Sequence, residues 1–535
     1  MANLIIRTED IKPEHILELY VETSQEKRIV DELRGANPVV LESSRGTGKS
    51  FLLRVAEAEL ERDYSNDLVL PVYLSFTKSS LIQTKDPDQF LHWMMSRLCS
   101  RILRVLYQHG CLVQHIPAIN LLSGGTFNGD LEQTPIERIA DAFEESYKNP
   151  DTNIDVGSIP SVDDFKDAIE DICRANKLVR LVVLFDEAAH VMQPEQQRQF
   201  FTLFRDLRSP FLSCNAAVYP GVTFYGQAFE AAHDANVISL SRDVLDPDYV
   251  SGMRDIVFRQ ADSTLHNDII ERGENFNALA LAVSGNPRLL LKTVALAGRL
   301  RTNDVEKVLK EFYRTDIWAE HSGLAEKYKG HRTIVDWGRE FIEKTVIPDA
   351  ISKNEQRALA GKSESTAFFW IHRDAPAAVT EALRLLCYTG IVTRIDSGII
   401  ATRKETGTRY AVNLGCLAAP SSKPITTLTE YGRTLSLKRF SEYGSNHPAY
   451  ATLQDVNFTE TDISIELARQ LDKSIDVIDL TSFQLVALKS VGIDTVRKAL
   501  QSPEKDFQKA NYIGPVRSRK MKNVAAASVL EYLSG

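Results

Sequence analysis

Cysteine is scarce in this sequence and never closely paired. The six residues (Cys99, Cys111, Cys173, Cys214, Cys387 and Cys416) form no CxxC and show no zinc-like spacing. That excludes a disulfide framework and predicts reduced, mostly buried thiols, as in a cytosolic protein. Long apolar runs are missing too. None approaches the roughly 18 residues that would suggest a membrane span, so no membrane partner is expected. The opening MANLIIRTED has an apolar run of only three residues before acid appears, so no signal peptide is expected. Nor is there a basic excess: 63 Lys and Arg against 72 Asp and Glu leave a net charge of −9. A chain coated in nucleic acid is excluded, whereas local basic surfaces are not.

What is present is ordinary globular composition, 43% hydrophobic and 25% charged, over 535 residues. At about 150 residues per domain the length predicts three or four domains. Residues 12–36 read as a helix stopped by Gly35, followed by an apolar strand from Val39 and a helix over 51–62. LVLPVYLSF (68–76) reads as a second strand and LVRLVVLFDE as one buried on both faces, with helices around 87–109, 135–148, 161–177 and 194–207 between and after them. NAAVYPGVTF and NVISLS add two more strands. Strands alternating with helices predict an α/β parallel sheet over 1–245. Beyond it the pattern turns helical over 246–345 and mixed over 346–420. A Pro-, Ser- and Thr-rich linker is expected at 421–462 and a helical end at 463–535.

The stretch Ser43 to Ser50, SSRGTGKS, joins the first strand to its helix. A phosphate-binding loop needs glycines so that backbone N–H groups can converge, a lysine for the β and γ oxygens, and a hydroxyl for Mg²⁺. Gly46, Thr47, Gly48, Lys49 and Ser50 supply these; Ser43 departs from the glycine expected at the first position. The second half of such a site is an acidic pair ending a buried strand. Asp186 is expected to hold Mg²⁺ through water and Glu187 to orient and polarise the attacking water. A GTPase would show an NKxD motif, and NKLV lacks its aspartate; ATP and Mg²⁺ are the expected cofactors.

The order of phosphate loop, acidic pair, AVYPGVTFYG strand end and SGNPRLLLK resembles the AAA+ ATPases over roughly 300 residues. Within them it is similar to the origin-recognition initiators and their bacterial relatives. The resemblance implies a sensor residue after the strand following the acidic pair, nearest Thr223, and a lid arginine at Arg288 touching the γ-phosphate. The same GNP is similar to the lid of the signal-transducing ATPases with numerous domains. One departure is the arginine finger: no Arg or Lys lies between Gly221 and Ser241, and Arg205, Arg208 and Arg242 match poorly. That favours a switch over a ring motor and leaves a homo-oligomer open.

From Trp370 to Lys423 the chain resembles a winged helix, with its helix entering the major groove and Arg403, Lys404 and Arg409 on the wing meeting phosphates. Seven basic against four acidic residues give this span +3. The terminal stretch resembles tandem helix-hairpin-helix units with turns SVGID and YIGPVRSRK. Arg517, Arg519, Lys520 and Lys522 follow the second turn, and six basic against three acidic residues give 501–535 a charge of +3. Backbone N–H groups at such a turn bind phosphate without reading bases. The functional expectation is an ATP-hydrolysing protein, slow or partner-stimulated, whose nucleotide state controls DNA binding or assembly. Its alternative is an ATP-driven signalling switch acting on an effector protein, as in phage defence.

Overall fold

The computed structural model describes residues 4–82, 88–111, 117–131, 134–149, 152–188, 194–220, 223, 225, 229–327, 331–402, 404–453, 471–478 and 480–533. They divide into two units. One holds residues 4–241 with 254–260, and the other holds 242–253 with the chain from 261 onward.

In the first unit, strands β1 (Val39–Glu42), β2 (Val69–Ser75), β3 (Arg180–Asp186), β4 (Leu212–Val218) and β5 (Asn236–Ser239) form one sheet in the order β2-β3-β4-β1-β5. Every pairing is parallel, which confirms the expected fold class. The strands read as continuous apolar runs because both faces are covered. Val39, Leu41, Val182 and Leu184 pack on helices Ser24–Arg34 and Lys49–Asp67. Their neighbours Val40, Val183 and Phe185 face the other way, onto Gln89–Gln108, Val162–Asn176 and Pro194–Asp206. All six cysteines are free and buried.

The amino-terminal helix expected over 12–36 is broken. Helix Ile16–Leu19 ends at Tyr20, and Thr23 caps a new helix, Ser24–Arg34, by accepting from the Glu26 N–H at 3.2 Å. Side-chain capping satisfied there is worth about 1 kcal/mol, enough to restart a helix where an apolar period alone predicts continuity. Gly35 does end it.

The second unit begins with helices, among them Gly273–Ala282 and Pro287–Ala297. It then builds a four-stranded sheet from β6 (Phe368–His372), β7 (Val392–Ile400), β8 (Thr406–Val412) and β9 (Ser441–Tyr443), in the order β7-β8-β6-β9. The hairpin read from the sequence is present as β7 and β8, paired antiparallel. Two expectations are corrected. Helix Ala377–Thr389 buries ten of its thirteen residues, Ala378, Glu381, Leu385 and Tyr388 as well as Val379 and Leu386, and leaves only the narrow stripe of Ala377, Thr380 and Arg384, too little for a helix seated in a major groove. The expected linker is also structured over much of its length. Pro424 opens helix Pro424–Thr434, whose Ile425, Leu428 and Tyr431 are buried, and Ser441–Tyr443 joins the sheet beside β6. The rest of that span, 454–462, lies outside the described residues.

The terminal helices share a core of their own, Leu488, Ile493, Val496, Phe507, Ile513, Met521 and Ala525. Both expected turns connect helices, Ser482–Ser490 to Val496–Gln501 and Glu504–Phe507 to Pro515–Leu533.

Close approach fixes one glycine in the second sheet. A Cβ on Gly407 would meet the Ile371 carbonyl at 2.2 Å and the Trp370 ring at 2.4 Å, whereas one on Gly444 meets nothing within 4 Å. Gly407→Ala should therefore cost about 1–3 kcal/mol as overpacking, read as a lower urea midpoint, while Gly444→Ala should leave the midpoint almost unchanged.

Candidate functional site

In a parallel sheet, the carboxyl ends of neighbouring strands open onto one crevice. Here β1 runs into the phosphate-loop sequence, β3 ends at Asp186, and Glu42 of β1 pairs with Val218 at the end of β4. The loop turns through Gly46 (φ 84°) and Gly48 (φ 105°), left-handed positions that glycine adopts without steric cost. Lys49 then opens an α-helix of 19 residues, so the first N–H groups and the positive end of its dipole face the crevice.

Ser43, the departure from the motif, closes the loop. Its hydroxyl hydrogen-bonds the hydroxyl of Thr47, which donates to the Ser44 carbonyl at 2.9 Å. The Ser43 carbonyl accepts from Lys49 Nζ, as does that of Ser44 at 3.0 Å. Lys49 is only 6% exposed, with its ammonium 4.0 Å above the Tyr219 ring. The cation is thus held inside the loop by carbonyl dipoles and an aromatic face, the placement a polyphosphate requires.

The two halves of the site meet directly. Ser50 Oγ donates to Asp186 Oδ1 at 3.0 Å, and the Glu187 N–H donates to the same oxygen at 2.9 Å. Tyr73 Oη donates to Asp186 Oδ2 at 2.5 Å. Glu187 takes φ 57°, a left-handed position uncommon outside glycine, directly after the strand ends. Burial, then the charge of Asp186, then Glu9 push its carboxyl up to about 7, against the pull of Arg45 and Lys49. A carboxyl so raised is a stronger base than one in water.

The donor set fits Mg²⁺. Ser50 and Asp186 offer hard oxygens side by side, and Mg²⁺ is commonly held by one or two protein oxygens with phosphates and water completing the shell. Among the described residues no cluster of three or more His, Cys, Asp or Glu could hold a metal by itself, so such a cation would need the nucleotide's oxygens. Beside Ser50 a cleft of about 200 Å³ opens, lined by Glu9, Ile11, Ile16, Arg54 and Tyr73.

The remaining expected residues fall as follows. The Thr223 hydroxyl donates to the Tyr219 carbonyl at 2.8 Å, and it is Tyr219 that carries the end of β4 to Lys49. Arg288 belongs to the second unit, half-exposed on the first turn of Pro287–Ala297. Its motif is held by local bonds: Asn286 caps the helix through the Leu289 N–H, and the Gly285 N–H donates to Tyr249 Oη at 2.8 Å. Arg205, a weak finger candidate, pairs with Asp206 at 2.7 Å. On the wing, Lys404 is exposed and Arg403 lies outside the described residues. Arg409 is corrected as a phosphate contact. Its guanidinium is spent on Asp396 and on the Leu437 carbonyl at 2.7 Å, leaving the side chain 12% exposed. At the terminal turn Arg517 and Lys520 are exposed, whereas Arg519 binds Glu504 at 3.3 Å and Asn446. No helix among the described residues is long and apolar enough to cross a membrane.

No protein-family model matches the sequence, and no curated protein does. Solved structures with similar folds include the ORC1 protein of Aeropyrum pernix in complex with DNA (15% identity, TM-score 0.32, 78% of this chain and 94% of that one). A Walker-type ATPase of Pyrococcus abyssi matches at 14% identity and TM-score 0.38, over 79% and 97%. The ORC2 protein of Aeropyrum pernix, described with ADPNP and ADP, matches at 9% and 0.35, over 79% and 93%.

Lys49 is the group whose loss is most informative. Lys49→Ala should lower ATP affinity at least tenfold to a hundredfold, the worth of a charge-assisted contact of about 1.5–3 kcal/mol, in calorimetry on protein whose circular dichroism is unchanged.

Proposed function

We propose that this protein binds and hydrolyses ATP with Mg²⁺, and that its nucleotide state governs its hold on DNA. The observation that carries the ATP reading is the contact of Ser50 with Asp186, made by residues 136 apart in sequence, with the Glu187 N–H on the same oxygen. In this reading the loop N–H groups and Lys49 bind the β and γ phosphates. Ser50 and Asp186 would hold the cation, which when bound would neutralise charge developing on the phosphoryl oxygens. Glu187, whose carboxyl is raised by burial and by the Asp186 charge, accepts the proton of the attacking water.

DNA contact rests on the terminal hairpin. Arg517 and Lys520 are exposed after the turn at Gly514, where the first turn of Pro515–Leu533 presents its N–H groups. Lys404 supplies one further exposed cation at the wing. With Ala377–Thr389 largely covered by the chain itself and Arg409 bonded to Asp396, this module offers DNA little, which favours a second reading, a nucleotide switch that acts on a protein partner.

ATP turnover measured without DNA, then with duplex or single-stranded DNA, separates the two. DNA-stimulated turnover, lost in Lys49→Ala, supports the first reading; ATP binding with turnover indifferent to DNA supports the second. Glu187→Gln should retain ATP but lower turnover about 10²- to 10⁴-fold, the usual contribution of a general base. Reversing charge at Arg517 and Lys520 together should weaken binding to all DNA sequences alike and flatten its salt dependence. An unchanged mobility shift would refute the hairpin contact.

A further inference from the structure

The Asp186 carboxylate is held from two sides. Ser50 Oγ and the Glu187 N–H bond Oδ1, and Tyr73 Oη bonds Oδ2. A terminal carboxylate torsion is broad and soft, so donors on one oxygen alone leave the group free to rock. A donor on each oxygen fixes its plane.

Tyr73 reaches Asp186 because of strand register. β2 and β3 pair in parallel with Ser75 opposite Asp186, and side chains alternate along a strand, so Tyr73 and Ser75 share a face. Tyr73 sits two residues short of the site, and its phenol spans the remainder. The ring is itself immobilised. The Arg54 guanidinium lies 3.4 Å from its centroid and is anchored by Glu57 at 2.7 Å, while Arg101 Nε donates to the Tyr73 carbonyl at 2.9 Å. Arg54 follows Ser50 by one helical turn on Lys49–Asp67. The helix that supplies the hydroxyl ligand thus also clamps the residue that orients the carboxylate ligand.

We infer that Tyr73 is a positioning residue for the divalent cation, fixing the plane of the Asp186 carboxylate so that its ligating oxygen is presented beside Ser50. The inference rests on the nucleotide-site reading above. A tyrosine that merely filled core volume would need no hydroxyl on a buried carboxylate, and phenylalanine would serve as well.

The test is the Mg²⁺ dependence of nucleotide affinity, read with a fluorescent ATP analogue first in EDTA and then across a Mg²⁺ titration, on wild type and Tyr73→Phe. Phenylalanine keeps the ring under Arg54. Affinity in EDTA should stay within about twofold, while the Mg²⁺ midpoint should rise on the order of tenfold, the usual cost of removing a partner of a metal ligand. In an Asp186→Asn background the same substitution should add nothing, since the pair acts as one unit. An unchanged midpoint in Tyr73→Phe, with a responsive wild type, overturns the inference alone. Equal loss of affinity in EDTA and in Mg²⁺ overturns it too and assigns Tyr73 to structure. A wild type indifferent to Mg²⁺ overturns the nucleotide reading and the inference together.

Discussion

A buried carboxylate at the end of β3 accepts hydrogen bonds from the helix after β1, from β2, and from the backbone of the next residue. Asp186 is 5% exposed, and an anion taken that far out of water is costly unless its oxygens are satisfied. The three donors meet that cost, and in doing so they fix the relation between the phosphate loop, the second strand and the acidic pair. The site is therefore part of the sheet's own architecture. The same hydrogen bonds that make the anion tolerable also aim its remaining lone pairs.

The phosphate loop follows a related logic on the cationic side. Lys49 is buried among carbonyl dipoles and against the face of Tyr219, and Ser43 and Thr47 lock the turn that supplies those carbonyls. Positive charge and helix dipole thus converge on one side of the crevice, with Asp186 and Glu187 on the other. The crevice therefore offers cationic and dipolar groups on one side and carboxylates on the other.

The strand-helix alternation and the acidic pair were legible because they are local. Apolar runs such as LVVLF end in Asp186-Glu187, and the loop glycines stand in sequence with Lys49 and Ser50. Tyr73 and Tyr219 were not, since each lies in an apolar segment and acquires its role only through the register of β2 on β3 and the end of β4. The expectation that Ala377–Thr389 enters a groove foundered on periodicity. Val379, Ala382, Leu383 and Leu386 do lie on one face, but Ala378, Leu385, Cys387 and Tyr388 line the rest, and a helix apolar all round is a core helix. Composition misled over 421–453 in the same way. Pro424 reads as a breaker, yet at the first helical position it starts a helix, and Ile425, Leu428 and Tyr431 were the periodic signal within it. Arg409 looked like surface charge until the fold placed Asp396 opposite it.

The burial of Ala377–Thr389 has a mechanical side. That helix packs on the terminal helix Pro515–Leu533 as well as on Arg332–Phe341, and Arg519 reaches Asn446 across the same unit. The terminal hairpin is therefore braced. Among the described residues, a displacement at Gly514 would reach the four-stranded module directly through the packing of these two helices. The last helix is thus tied to the module that carries it by packing and by Arg519 rather than by chain connectivity alone.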